Sequence, residues 1–397
     1  MKKILIVNTH YKTGGIKTSL DHLIRFLSED HAVDILFLNP PEKDAWHWAD
    51  ERVRMLPVIK PLDAYFIDGR EIKNKKRGKL RYYFYKLLFK AKRMFWGSEK
   101  VIKQIIDKQK PTEKYDVAIA YSHDHWTNGG FSGGCNYYVL KKAAAARKYA
   151  WIHGEHENIG LDRERALATY SGFDKVISVS KSCDDKFKEL VGGAVPSDFI
   201  YNLFDADEIR KKATEPAESF DEGVFTIVTV GRIHPVKRID KVNVIAKRLK
   251  EAGYDFRWIV VGGGPLLNDY MKEAADLGLE GKVIYTGEQK NPYRYIGRSD
   301  VFVLLSDSES FSIVINEALI LNVPVISTEF PAVYETIDPG KNGWIVGKTT
   351  DEMYDAIVYC MQHPEELQAM KEYLRDHPRG RYLEENSASK ISALLTE

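Results

Sequence analysis

The sequence predicts an α/β protein made of two parallel-sheet domains. Three observations carry the prediction. Strand-length apolar runs alternate with helical segments, the runs fall into two sets, and a charged stretch separates the sets. A chain of 397 residues also exceeds one comfortable core and fits two domains of roughly 200 residues each.

The first set of runs covers residues 4–7, 33–38, 117–120, 150–152 and 175–179. The second covers 225–230, 256–261, 283–285, 301–305, 324–326 and 344–346. Residues 205–223, rich in charge and containing Pro216 and Gly223, are the expected linker. The expected boundaries are a first domain over 1–204, the linker over 205–223, a second domain over 224–375, and a tail over 376–397. The helical pattern of the tail is expected to cross back to the first domain. Ligands of open α/β sheets bind beyond the carboxyl ends of strands, so the loops after these runs hold the candidate residues.

Composition narrows the function classes. Lys plus Arg number 58 against 57 Asp plus Glu, which argues against a general polyanion-binding surface. The average hides one extreme: residues 70–93 hold eleven Lys or Arg and a single acid, Glu71. Three widely spaced cysteines, Cys135, Cys183 and Cys360, point to a reducing compartment without a disulfide framework. The start of the chain reads as a first strand, and no run approaches the roughly 18 apolar residues of a membrane span. A cytoplasmic or peripheral protein is expected.

After the run at 301–305 come Glu309 and Glu317, eight positions apart around a short apolar stretch. Glu309 is expected on the loop leaving the strand and Glu317 in the following helix. A helix N-terminus for phosphate and carboxylates for hydroxyl protons suit a nucleotide-linked sugar. A solvated acid pair beside an ordinary amphipathic helix fits the same letters. Gly14-Gly15 lets backbone N–H groups approach an anion, without the spacing of a P-loop or a dinucleotide fingerprint. Gly231-Arg232 and Lys237 offer two cations beyond a strand: Arg can bridge two phosphate oxygens, and Lys supplies a compact charge. Gly262-Gly263-Gly264 makes a second turn that a ribose or base can approach closely.

Histidine-bearing loops follow strands of the first domain, at His10, at His123-Asp124-His125, and at His153-Gly154-Glu155-His156. Their spacing matches no zinc motif, and no metal site is expected. Asp205-Ala-Asp207 has the letters of a metal–diphosphate element but opens the linker, and is read as a chance match.

Taken together, the Gly14-Gly15 loop, His153, the segment 201–205, Gly231-Arg232 with Lys237, Gly262 to Pro265, and Glu309-x7-Glu317 followed by Ala318 and Pro324-Val325 resemble retaining glycosyltransferase family 4. The resemblance covers nearly the whole chain. It implies the GT-B fold, in which two Rossmann-like domains face one another across a deep cleft. The first would bind the acceptor and the second the nucleotide sugar. It also implies that Gly14 and Gly15 approach the donor phosphates and that Arg232 and Lys237 neutralise the diphosphate. The Gly262, Gly263 and Gly264 turn and Ser310 and Phe311 would line the donor. Glu309 would touch the donor sugar and Glu317 the ribose, while the amides of Ser312, Ile313 and Val314 cap the phosphate. His153 matches the residue near the reacting sugar. The implied catalytic set is His153, Arg232, Lys237 and Glu309, with His123, Asp124 and Glu155 as acceptor-side candidates. Ser310 and Ser312 depart from glycines common in the family, which loosens any inference about the donor sugar.

The expected function is retaining transfer of a hexose from a UDP-sugar to a glycan or lipid-linked acceptor in cell-surface polysaccharide synthesis, with no cofactor or metal. A sugar-nucleotide epimerase of related fold and a non-catalytic nucleotide-sugar-binding scaffold are the competing readings. Arg70 to Trp96, where cations interleave with aromatics and leucines, is expected to meet an anionic membrane surface on the inner face of the cell membrane. A helix covering the protein's own core with a solvated charged face is the alternative there. Nucleic acid is not an expected partner.

Overall fold

The computed structural model describes the chain apart from residues 13, 40, 42–45, 47, 49, 67–78, 127–129, 219–222 and 397, and the side chains of 379–382 and 384. It divides into two compact units, Met1–Asn202 with Ala388–Glu397, and Leu203–Ser387. Each is a parallel sheet with helices on its faces.

The strands of the first unit are β1 (Lys3–His10), β2 (Ala32–Asn39), β3 (Val53–Met55), β4 (Lys114–Ala120), β5 (Ala144–Ile152), β6 (Lys175–Ser178) and β7 (Ser197–Phe199). They are ordered β3-β2-β1-β4-β5-β6-β7, all pairs parallel. Helices α1 (Gly15–Ser28), α2 (Leu62–Phe66), α3 (Lys79–Asp107), α4 (Cys135–Lys142), α5 (Arg163–Tyr170) and α6 (Lys181–Val191) connect them. Ile4 to Val7 are wholly buried because a central parallel strand is covered on both faces, so apolar letters run on without alternating. In α1 the buried Leu20, Leu23, Ile24 and Leu27 recur at helical spacing and fix which face meets the sheet.

The second unit has β8 (Phe225–Val230), β9 (Phe256–Val261), β10 (Val283–Gly287), β11 (Val301–Leu304), β12 (Val325–Thr328) and β13 (Gly343–Val346), ordered β10-β9-β8-β11-β12-β13 and parallel throughout. Its helices are α7 (Ala206–Ala213), α8 (Asp240–Glu251), α9 (Leu267–Asp276), α10 (Tyr293–Ile296), α11 (Ile313–Ile320), α12 (Thr350–Gln362) and α13 (Pro364–Asp376). Trp258 sits at the centre of this core, and its indole N–H donates to Thr229 Oγ1 at 3.0 Å, which in turn donates to the Val303 carbonyl. Helix α14 (Arg379–Thr396) begins in the second unit, and its residues from 388 onward group with the first. There the Leu394 carbonyl accepts from Tyr149 Oη at 2.8 Å and Lys390 Nζ donates to the Phe199 carbonyl at 2.7 Å.

Two expectations change. The segment 205–223 is not linker throughout: Asp205 caps α7 by accepting from Glu208 N at 2.8 Å, and Ala206 and Ile209 are buried. Two apolar positions in a charged stretch suffice to seat a short helix, and Asn291 Nδ2 and Arg298 hold its last carbonyls. Strands β3 and β7 are additions, short edge strands of mixed polarity that present no apolar run to read.

Candidate functional site

In an open parallel sheet, loops diverge where successive connections run in opposite directions along the sheet. In the second unit that point lies between β8 and β11, because β9 and β10 extend to one side and β12 and β13 to the other. The loops after β8, β9 and β11 meet there. Gly231 N donates to the Val261 carbonyl at 3.0 Å, and Ile233 N to that of Gly263 at 2.8 Å, so the chain carrying Arg232 runs along the Gly262–Gly264 turn. A Cβ at Gly262 would collide with the Gly231 carbonyl oxygen, and one at Gly264 with that of Ile233. The two backbones can lie this close only without side chains between them. Gly264→Ala is therefore expected to force the loops apart and to destabilise the protein by about 1–3 kcal/mol. A thermal unfolding midpoint equal to that of the wild type would contradict this account.

The loop after β11 is tied to the same tip by the bond from Asp307 N to the Val236 carbonyl at 2.9 Å. Lys237 Nζ and Ser306 Oγ both reach Glu309 Oε1, the latter at 2.7 Å, and Thr328 Oγ1 holds the Ser306 carbonyl at 2.6 Å. Both contacts to Glu309 fall on one carboxylate oxygen. The other, Oε2, retains acceptor capacity, and a lysine ammonium has two N–H groups beyond the one given to Glu309. Arg238 is committed elsewhere, to Asp240 at 3.0 Å and Asp307 at 3.2 Å. Arg232 is exposed.

Ser312 precedes α11 in extended conformation, and its side chain caps no amide. The first amides of a helix have no intrahelical acceptor, so Ile313 and Val314 present N–H groups and the positive end of the helix dipole at the tip of β11. Further along α11, Glu317 is buried and accepts from Tyr293 Oη at 2.9 Å. Burial pushes its carboxyl up to about 7, against the opposing pull of the Tyr293 hydrogen bond. Phe311 is buried against Phe204, ring centroids 6.3 Å apart. The donor-side residues named from the sequence in this unit thus lie on three loops that meet at one switch point and on helix α11, which follows the third of them. Ser306 and Tyr293, which hold the two glutamates, were not legible; a lone serine and a tyrosine after Asn-Pro carry no motif.

The corresponding point of the first unit lies between β1 and β4. Gly14, at φ 143, leads into α1 without a side-chain cap. His153 follows β5, and its N–H donates to His123 Nδ1 at 3.0 Å, which puts the proton of His123 on Nε2. The His123 and His125 rings lie 4.4 Å apart, and Tyr121 meets His153 edge-on at 4.6 Å. Burial lowers the His153 pKa to about 4, partly offset by a hydrogen bond with the Tyr121 backbone, and burial also depresses His123 and His125. All three imidazoles are neutral at pH 7. Asp124 and Glu155 are tied into the scaffold. Asp124 accepts from Gly134 N at 2.7 Å, while Glu155 pairs with Lys186 at 3.0 Å and with Asn158. Among the described residues no cluster of three His, Cys, Asp or Glu could hold a metal ion. Asp205 is a helix cap, and Asp207 is exposed.

Comparison with known proteins places this architecture. Residues 210–377 match the family described as Glycosyl transferases group 1. The N-acetyl-alpha-D-glucosaminyl L-malate synthase of Bacillus anthracis is 28% identical over 227 residues, covering 56% of this chain and 59% of that one. The GDP-mannose-dependent alpha-(1-6)-phosphatidylinositol monomannoside mannosyltransferase of Mycobacterium tuberculosis is 25% identical over 271 residues, 64% of this chain and 70% of that one. The chain spans 59% of the length of the first of these relatives and 50% of that of a further one, an uncharacterized glycosyltransferase of Methanocaldococcus jannaschii, and so little more than half of the curated relatives it matches. Among solved structures, Anabaena HepE in complex with UDP superposes with a TM-score of 0.67 at 14% identity, over 99% of this chain and 100% of that one. The second unit thus carries the match to the group 1 glycosyl transferases, and the chain has the GT-B fold of two Rossmann-like units.

Proposed function

We propose that this chain moves a hexose from a nucleoside-diphosphate sugar, with UDP as the carrier, onto a glycan or lipid-linked acceptor, with retention of anomeric configuration. The observation that carries the proposal is the pairing of Lys237 and Ser306 with one oxygen of Glu309, beside the uncapped start of α11. It provides fixed positive charge for a leaving diphosphate and a free carboxylate oxygen for a sugar hydroxyl within one loop cluster. In the reaction the bond from the anomeric carbon to the diphosphate oxygen breaks. The acceptor oxygen bonds the same face of that carbon, and its proton passes to the departing phosphate oxygen. Negative charge grows on the diphosphate, where preorganised donors contribute most to rate. That work falls to Arg232, Lys237 and the amides of Ser312, Ile313 and Val314; no metal enters this reading. Glu317 accepts from ribose hydroxyls, and the neutral His153 offers a hydrogen-bonding nitrogen without acting as a general base.

Two of these similar proteins support the two ends of the reaction. HepE is solved with UDP-glucose, and the mycobacterial enzyme acts on a phosphatidylinositol mannoside. The three buried cysteines, held as thiols, accord with action on the cytoplasmic side of the membrane. A panel of nucleotide sugars scored by thermal unfolding tests the donor assignment. A ligand at a hundred times its dissociation constant contributes about 2.7 kcal/mol, which raises the midpoint by about 5 °C or more in a unit of this size. A UDP-sugar is expected to give the largest shift. No shift with any nucleotide sugar would overturn the proposal.

A further inference from the structure

Helix α3 is broken at Gly97, whose φ of 75 is outside the helical range. Beyond the break Val101, Ile102, Ile105 and Ile106 are buried in the core of the first unit. Before it, residues 79–96 form a helical segment of about 27 Å with two dissimilar faces. The inner face is packed. Phe89 is buried, stacks on Tyr85 at 5.7 Å and meets Tyr65 of α2 at 5.4 Å, while Arg81 pairs with Asp63 at 2.9 Å.

The outer face is apolar. At 100° per residue Leu80, Tyr83, Phe84, Leu87, Ala91, Met94 and Phe95 fall within an arc of roughly 120°, on the side opposite Phe89. They are open to solvent: Leu80 is 88% exposed, Leu87 72%, Met94 77% and Phe95 75%. The segment thus covers the core as one reading of the sequence expected. The solvated charge expected with that reading is confined to the edges, where Lys79, Lys90 and Arg93 are exposed, and the face turned away from the core is hydrocarbon. Residues 70–78 of the basic stretch lie outside the described residues.

Lys79, Lys86 and Lys90 run along one edge of the apolar arc and Lys92 along the other, and residues 79–96 contain no acid. A second copy seated face to face would oppose these cations to one another. A surface of negative headgroups over hydrocarbon complements both the charge and the apolar arc. Among the described residues no helix is long and apolar enough to cross a membrane, so the segment would lie in the plane of the interface. We infer that the outer face of residues 79–96 inserts into an anionic bilayer surface, with Leu80, Phe84, Leu87, Met94 and Phe95 entering the acyl boundary and the flanking lysines meeting headgroups.

The inference is tested without turnover, so its failure and that of the transfer reading are distinguishable. The full chain is sedimented with vesicles of phosphatidylcholine alone and with equal parts of phosphatidylcholine and phosphatidylglycerol. Wild type is expected to bind the mixed vesicles at least tenfold better. The combined variant Phe84→Ser, Leu87→Ser and Met94→Ser changes only exposed positions, so the fold is expected to persist by circular dichroism. It should lose at least tenfold in binding to mixed vesicles. A Met271→Ser control, at another exposed apolar position, should not. Equal binding of the serine variant overturns insertion even if Lys86→Glu with Lys90→Glu abolishes attachment, because charge alone would then suffice. Absence of binding by wild type also overturns it, as does a dimer by light scattering that the serine variant dissolves.

Discussion

Lys237→Ala is expected to lower sugar transfer at saturating donor by about 10²–10³-fold while the protein stays folded. The ammonium is the one cation on the loop after β8 in contact with Glu309, and it faces the tip where the leaving diphosphate would gather charge. Its loss removes a donor whose interaction strengthens as the bond to the anomeric carbon breaks, so turnover should fall more than donor affinity. It also leaves Glu309 with only Ser306 on Oε1. That second effect is separable. In a double-mutant cycle with Glu309→Gln, a lysine that served only to neutralise the glutamate would show little further loss once the carboxylate charge is gone. A lysine that serves the diphosphate would still show most of its effect. Transfer by Lys237→Ala close to wild type would remove the assignment altogether.

The fold was legible where burial on both faces wrote long apolar runs: β1, β8, β9 and β11 can be read from residues 4–7, 225–230, 256–261 and 301–305. It was illegible at β3 and β7, where an edge strand needs few contacts, and at α7, whose charged sequence reads as linker. The candidate site shows the same division. Glycines after strands are visible because only they let two loops lie in backbone contact, as Gly262 and Gly264 do. The partners that aim the acids come from elsewhere in the chain. Tyr293 reaches Glu317 across 24 residues, and His123 receives the His153 N–H across 30. No local pattern encodes such distances. The segment 79–96 was ambiguous for another reason. Tyr82, Tyr85 and Phe89 on one side and Phe84, Leu87 and Phe95 on the other are equally apolar on paper, and only packing against α2 decides which side faces out.

The same burial that places Glu317 makes it a pH-dependent liability. Its carboxyl is raised from 4.5 to about 7 by desolvation. A raised acid favours the folded state while protonated, so its contribution is complete below pH 4.5 and is lost as pH climbs through 7. The shift corresponds to about 3 kcal/mol. Glu317→Gln cannot ionise and should escape this loss. Any cost of fitting its amide beside Tyr293 is the same at every pH, so the readout is the difference in slope. Wild-type stability should fall relative to the variant by about 3 kcal/mol between pH 4.5 and pH 8. Donor binding should move the opposite way. If Glu317 accepts ribose hydroxyls, the ionised form is the better acceptor, so wild-type affinity should rise as pH passes 7 while that of the variant stays low and flat. One carboxyl then destabilises the fold over the pH range in which it serves the ligand, as expected where function sets a buried charge. Parallel stability curves for the two proteins from pH 4.5 to 8 would show that Glu317 does not titrate there. The predicted rise in donor affinity would then have no source.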